Sequence, residues 1–142
     1  FGLVLQEGKG TCSSKHAFLQ AVVIENNQPD WQLIIGIYEM NQSNTPGVGE
    51  VLNNNNLSFM PEAHCYLENQ GQRYDFTKAG TNISVVEKVL FKEYPIQPEQ
   101  VGSDKVEIHQ AFLRTWLSEQ KDWPAFEEAW LIRETCIAAL SA

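Results

Sequence analysis

Apolar and polar positions along this chain follow two different rhythms, and the change from one to the other marks out the elements. Behind the turn-like Glu7-Gly8-Lys9-Gly10, Thr11 has the short oxygen-bearing side chain of a helix N-cap. From Cys12 onward Ala17, Phe18, Ala21 and Val22 recur at helical spacing, and Asn26-Asn27-Gln28-Pro29 ends the run. The spacing predicts a largely buried helix with Cys12 in its first turn. Trp31–Met40 is rich in Ile, Leu and Tyr without alternation, which predicts a strand buried on both faces. Residues 41–58 are polar, with Asn44-Thr45-Pro46-Gly47-Val48-Gly49 and a run of asparagines at 53–56, and read as a long functional or mobile loop. Residues 63–68 and 73–77 read as two strands of a hairpin closed at Asn69-Gln70-Gly71-Gln72. Residues 85–94 are mixed and predict no single element, with Pro95 and Pro98 as breakers. Helical spacing returns at 104–120 through Val106, Ile108, Phe112, Leu113, Trp116 and Leu117. It returns again at 124–140 through Phe126, Trp130, Ile137 and Leu140, with Pro124 as an early-helix residue. Helix, strands, then helices, with no repeat and no linker, predicts a single α+β domain over 1–142.

Composition narrows the class. A chain of 142 residues with 43% hydrophobic and 11% aromatic content suits one folded core and not a disordered segment. The longest apolar run, residues 33–38, is strand-sized against the roughly 20 residues needed to span a bilayer. The expectation is a soluble domain without a membrane partner. Net charge is −8, and the ten Lys and Arg residues are scattered with no three adjacent. That leaves no basic stripe to displace phosphate counterions, so nucleic acid is not an expected partner. Three cysteines, Cys12, Cys65 and Cys136, do not make a disulfide scaffold, and reduced thiols fit a cytoplasmic location. Oligomeric state is left open.

Chemistry points first at Cys12. A thiolate is stabilised at a helix N-terminus by unpaired backbone N–H groups and the helix dipole. A nucleophile there still needs a base, and that base must come from another segment. His64 is the candidate. In a strand, His64, Tyr66 and Glu68 share one face, and Cys65 and Leu67 the other. On the return strand Arg73, Asp75 and Thr77 share a face. A two-residue loop at Gln70-Gly71 sets Tyr66 opposite Asp75 and makes Asp75 a diagonal neighbour of His64, whereas a four-residue loop sets His64 and Asp75 directly opposite. Either register lets a carboxylate hold the imidazole N–H. A three-residue loop would separate them.

The stretch Gly10-Thr11-Cys12-Ser13-Ser14-Lys15-His16-Ala17-Phe18-Leu19 resembles the cysteine-bearing helix start of bacterial transglutaminase-like proteins. His64-Cys65-Tyr66-Leu67-Glu68 followed by Tyr74-Asp75-Phe76-Thr77 resembles the histidine strand and Asp-x-Thr strand of the same superfamily. The resemblance covers roughly 10–77. It implies a papain-like α+β core with the Cys-bearing N-terminal helix against an antiparallel sheet, Cys12 as nucleophile, His64 as base and Asp75 as its orienter. It also implies a thiol hydrolase or acyltransferase acting on a peptide or small amide, with no cofactor. Superfamily members commonly carry tryptophan two residues after the histidine, where this chain has Tyr66. Gln6, six residues before Cys12, has the spacing of the oxyanion glutamine in papain-like proteases.

Other readings stand beside this one. The same fold with its triad unused would be a binding or interaction module. Cys12, His16 and His64 would make a metal site only with a fourth ligand, which no Cys-x-x-Cys pair supplies. His16 reads better as a packing or supporting residue, Cys65 and Cys136 as core filler, and His109 as a helical histidine with no evident partner. Gly47-Val48-Gly49 lacks the Lys-Ser/Thr of a phosphate loop. Trp116, Trp123 and Trp130 read as separate core anchors, because Pro124 interrupts their seven-residue spacing.

Overall fold

The computed structural model describes residues 11–77 and 80–141. Among them the chain forms a mixed α+β structure: α1 (Cys12–Glu25), β1 (Trp31–Met40), α2 (Gly49–Asn54), β2 (Met60–Asn69), β3 (Gln72–Tyr74), α3 (Ser84–Glu87), β4 (Leu90–Ile96), α4 (Ser103–Ser118) and α5 (Phe126–Leu140), with a single 3-10 turn at Pro98–Val101. The strands make one antiparallel sheet in the order β3-β2-β1-β4. The described residues group into two compact units, one of 11–38 with 63–77 and 80–105 and one of 39–62 with 106–141.

In the first unit α1 starts where the sequence predicts, with the Thr11 side chain accepting from the Ser14 N–H at 3.2 Å. Its buried stripe is Ser13, His16, Ala17 and Gln20, spaced i, i+3, i+4 and i+7. Phe18, Ala21 and Val22, expected on the inward face, are only half-buried. Most of the stripe's polar groups are bonded: Gln20 Nε2 donates to the Trp31 carbonyl at 3.3 Å, and Ser13 and His16 have the partners described below, while Gln20 Oε1 is buried without a partner among the described residues.

Strand β1 has the expected bounds, and residues 33–38 are buried. Gly36 lies against Tyr66, so a Cβ there would overlap the Tyr66 ring and hydroxyl. Tyr66 is fully buried and donates its hydroxyl to Glu93 Oε1 at 2.5 Å. Residues 85–94, to which the pattern assigned no element, hold part of α3 and the start of β4. Strand β4 pairs with β1 from Leu33↔Ile96 to Tyr38↔Leu90, with a bulge between Ile37 and Tyr38. Pro95 does not break it, because β4 is an edge strand and a missing ladder N–H is tolerated there. The hairpin register is Leu67↔Tyr74, Glu68↔Arg73, Asn69↔Gln72. That is the two-residue loop, with Gln70 at φ 51 and Gly71 at φ 81, the positive pair a type I′ turn requires.

In the second unit residues 41–58 are not a structureless loop. Asn41 and Asn44 cap each other's backbone N–H at 3.0 Å, and Gln42 Oε1 accepts from the N–H groups of Gly47 and Gly49 before α2 begins. Helix α5 starts after an N-cap at Ala125, which leaves Pro124 outside it. His109, expected to lack a partner, has several. Its Nε2 donates to the Pro61 carbonyl at 2.9 Å, its Nδ1 lies 3.6 Å from Glu62, and its ring meets Trp130 edge-on at 5.0 Å. Glu62, 4% exposed, takes two hydrogen bonds from Arg133 at 2.9 and 3.0 Å. Trp116 and Trp123 are not separate anchors but pack edge to face at 4.6 Å with Phe59 beside both. Cys136 is buried. Among the described residues no helix is long and apolar enough to cross a membrane.

Gly36→Ala is expected to cost about 1–3 kcal/mol, because the added methyl meets a fully buried ring that cannot swing aside. Urea denaturation checks this, and an Ala variant with an unchanged midpoint would show that Tyr66 does not pack on β1 there.

Candidate active site

Three segments of the first unit meet around one carboxylate. Asp75 follows β3 directly, and its side chain is 3% exposed. A buried carboxylate must be saturated with donors to stay ionised. Asp75 Oδ1 accepts from the Thr77 N–H at 2.9 Å and the Thr77 hydroxyl at 2.5 Å, and Oδ2 accepts from His64 Nε2 at 2.7 Å. Residue 64 reaches residue 75 diagonally, as the two-residue hairpin loop dictates. The ring of His64 meets those of Tyr38 and Tyr66, at centroid distances of 6.2 and 6.1 Å.

With Nε2 engaged by Asp75, the other ring nitrogen of His64 is left for Cys12, and each side chain shifts the other's pKa. Cys12 is partly exposed at the first position of α1. Helix α1 is fastened to the Asp75 segment at two further points. Lys15 Nζ donates to the Thr77 carbonyl at 2.7 Å. His16, fully buried, has Nδ1 2.7 Å from the Cys12 carbonyl, and its Nε2 accepts from the Phe76 N–H at 2.8 Å. A carbonyl can only accept and an N–H can only donate, so His16 is the neutral Nδ1–H tautomer. Its Nε2 also lies 3.7 Å from Asp75 Oδ1, but that nitrogen carries no proton and the contact is not an ion pair. Burial holds the His16 pKa down, in agreement with the neutral form. His16 therefore spans the backbone of the Cys12 turn and that of the Asp75 segment.

The electrostatics follow from these contacts. Burial, the strongest single influence, pushes the Cys12 thiol up. The hydrogen bond from His64, the charges of Lys105 and His64 and a backbone hydrogen bond from Cys65 oppose it and bring it down to about 6. For His64, burial favours the neutral ring, but the hydrogen bonds to Asp75 and Cys12 and their charges raise its pKa to about 9. Burial also opposes ionisation of Asp75, and the donors from His64 and Thr77 override it to hold the carboxyl well below the usual range. The directions of these shifts favour a thiolate–imidazolium pair beside a carboxylate at neutral pH.

That pair has an unusual signature in stability. The raised His64 pKa contributes stability that is full below about pH 6.5, the unfolded value, and is lost as pH rises through about 9. The lowered Cys12 pKa contributes stability that is full above about pH 8.5 and is lost as pH falls through about 6. Between those unfolded values the folded pair and the unfolded pair each hold one proton, on different atoms. Stability is then flat with pH while the charge distribution differs, so thiol reactivity sees the pair and a melting curve does not.

Of the residues the sequence singled out, the structure brings Cys12, His64 and Asp75 together, and Gln6 lies outside the described residues. Cys65 is buried, as core filler should be, yet its backbone N–H also serves Cys12. Sequence reasoning missed Ser13 and Lys105: Lys105 Nζ donates to Ser13 Oγ at 2.7 Å, and Ser13 Oγ lies 3.9 Å from Cys12 Sγ. No spacing signal links residues 92 positions apart. Both nitrogens of His16 are engaged, which removes it as a metal ligand, and no described group of three or more His, Cys, Asp or Glu side chains is placed to hold a metal ion. A shallow cleft of about 530 Å³ lined by Gln42, Gly47, Gly49, Glu50, Asn53 and Asn54 belongs to the second unit and carries no nucleophile.

Alkylation of Cys12 by iodoacetamide is expected to rise with pH around a midpoint near 6, where an ordinary thiol would rise near about 8.5. In His64→Ala the midpoint moves up by at least one pH unit, on the order of the partner's contribution. Peptide mass spectrometry across pH 4–10 reads both, and superimposable profiles for the two proteins would show that the ring does not hold the thiolate.

No family model, curated protein or solved structure matches this chain, and what the site does must be read from its own geometry.

Proposed function

We propose that this protein is a cysteine-dependent acyl-transfer enzyme acting on an amide or peptide bond, on a papain-like, transglutaminase-like core. One observation carries the reading: His64 donates from Nε2 to a buried Asp75 at 2.7 Å while its ring lowers the pKa of a partly exposed thiol at a helix start. A structural thiol has no need of ionisation at neutral pH, and a surface histidine has no need of a buried carboxylate. The resemblance of residues 10–77 to transglutaminase-like proteins supports the same assignment.

The steps follow from the groups present. The Cys12 thiolate attacks the carbonyl carbon, forming an S–C bond and moving the carbonyl π pair onto oxygen. The first helical N–H groups of α1 have no acceptor within the helix and suit that oxyanion. Collapse breaks the C–N bond, and the imidazolium of His64 gives its proton to the leaving nitrogen. The neutral His64 then takes a proton from the incoming water or amine, the C–S bond breaks, and thiolate and imidazolium are restored. Asp75 remains ionised throughout and keeps the ring oriented. Hydrolysis or transamidation follows from which acceptor arrives.

Incubation with p-nitrophenyl acetate is expected to place an acetyl group on the peptide containing Cys12 and to release p-nitrophenol in a burst. Cys12→Ala gives neither, and His64→Ala slows release by about 10²–10⁴-fold. A wild-type protein that is not acetylated at Cys12 would leave the fold as a binding module.

A further inference from the structure

Lys105 stands beside the turn that carries the thiol. It lies in the first turn of α4, is half-buried, and its ammonium donates to the hydroxyl of Ser13, the neighbour of Cys12 in sequence and in space. An ammonium group has three donors, and this contact uses one. Among the described residues Lys105 has no ion pair with a carboxylate, and neither has Lys15, but of the two only Lys105 bonds to the neighbour of the thiol. Ser13 is itself 7% exposed, so the hydroxyl that pins the ammonium is fixed in place.

The charge of Lys105 favours the Cys12 thiolate, which it faces across the Ser13 hydroxyl in the resting site. Once the thiolate has become a neutral thioester, its negative charge is gone and the ammonium remains. A neutral acyl donor leaves it without a counter-charge, and a donor carrying its own carboxylate near the reacting carbonyl supplies one. We propose that Lys105, held by Ser13, is an anion-recognition point beside Cys12 and that the site selects acyl donors bearing a carboxylate close to the carbonyl attacked, as in an acidic peptide. This rests on the acyl-transfer reading and names its substrate class. The overall charge of −8 opposes an anion only at long range, where salt screens it over about 10 Å, so the local contact decides.

Two small alkylating probes test it, because in each the thiolate displaces iodide and forms an S–C bond, and only one carries a carboxylate. Rates of Cys12 alkylation by iodoacetate and by iodoacetamide are measured at pH 7.5 in wild type, Lys105→Met and Lys105→Arg. Taking the ratio of the two rates cancels any change in thiolate population. The ratio is expected to fall about tenfold in Lys105→Met, the order expected for loss of one close unit charge, and to be largely kept in Lys105→Arg. An equal ratio in wild type and Lys105→Met, with Cys12 still reactive toward iodoacetamide, overturns the anion point and leaves the acyl-transfer reading standing. A wild-type Cys12 that reacts with iodoacetamide only as an ordinary thiol overturns both.

Discussion

A buried carboxylate organises this site. Asp75 is almost wholly withdrawn from water, and an ionised carboxylate in that position is tolerated only when donors fill its lone pairs. Thr77 supplies two of them locally, through the turn that follows β3, and His64 supplies the third from β2. Satisfying Asp75 therefore fixes the His64 ring and leaves its second nitrogen for Cys12, whose pKa the ring lowers. Helix α1 is fastened to the same segment by Lys15 on the Thr77 carbonyl and by His16 on the Phe76 N–H. Thiol, imidazole and carboxylate are thus aligned by the backbone bonds that close this corner of the fold.

Much of that alignment is legible in the amino-acid sequence, for local reasons. Thr11 before Cys12 has capping chemistry, and capping depends only on neighbours within one turn. The Gln70-Gly71 loop is short and holds a glycine, so the register that brings Asp75 diagonal to His64 is among the few available. The apolar run of β1 reads as a strand covered on both faces and is one. The Asp-x-Thr spacing carries its own turn, with Thr77 bonding back to Asp75.

What is not legible depends on contacts made at a distance. Beside Ala17, the inward stripe of α1 is Ser13, His16 and Gln20 instead of Phe18, Ala21 and Val22, because each finds a partner in a remote segment and no hydrophobic scale can see that. The same holds for His109, Glu62 and Arg133 in the second unit, a buried polar cluster drawn from two helices and a strand. Strand β4 escapes periodicity because it is an edge with few buried positions and a proline, so no alternation marks it. In residues 41–58 the side-chain caps of Asn41, Gln42 and Asn44 hold what composition alone reads as loop.

The central claim is a charge assignment: at neutral pH the proton of Cys12 resides on His64, while the neighbouring His16 stays neutral. Two-bond ¹H–¹⁵N correlation of the histidine rings tests it directly, since imidazolium and the two neutral tautomers give distinct nitrogen shifts. At pH 7.5 the account predicts His64 protonated on both nitrogens and losing a proton near pH 9, with His16 as the neutral Nδ1–H form throughout. A neutral His64 at pH 7.5, with Cys12 still a thiol, would contradict it.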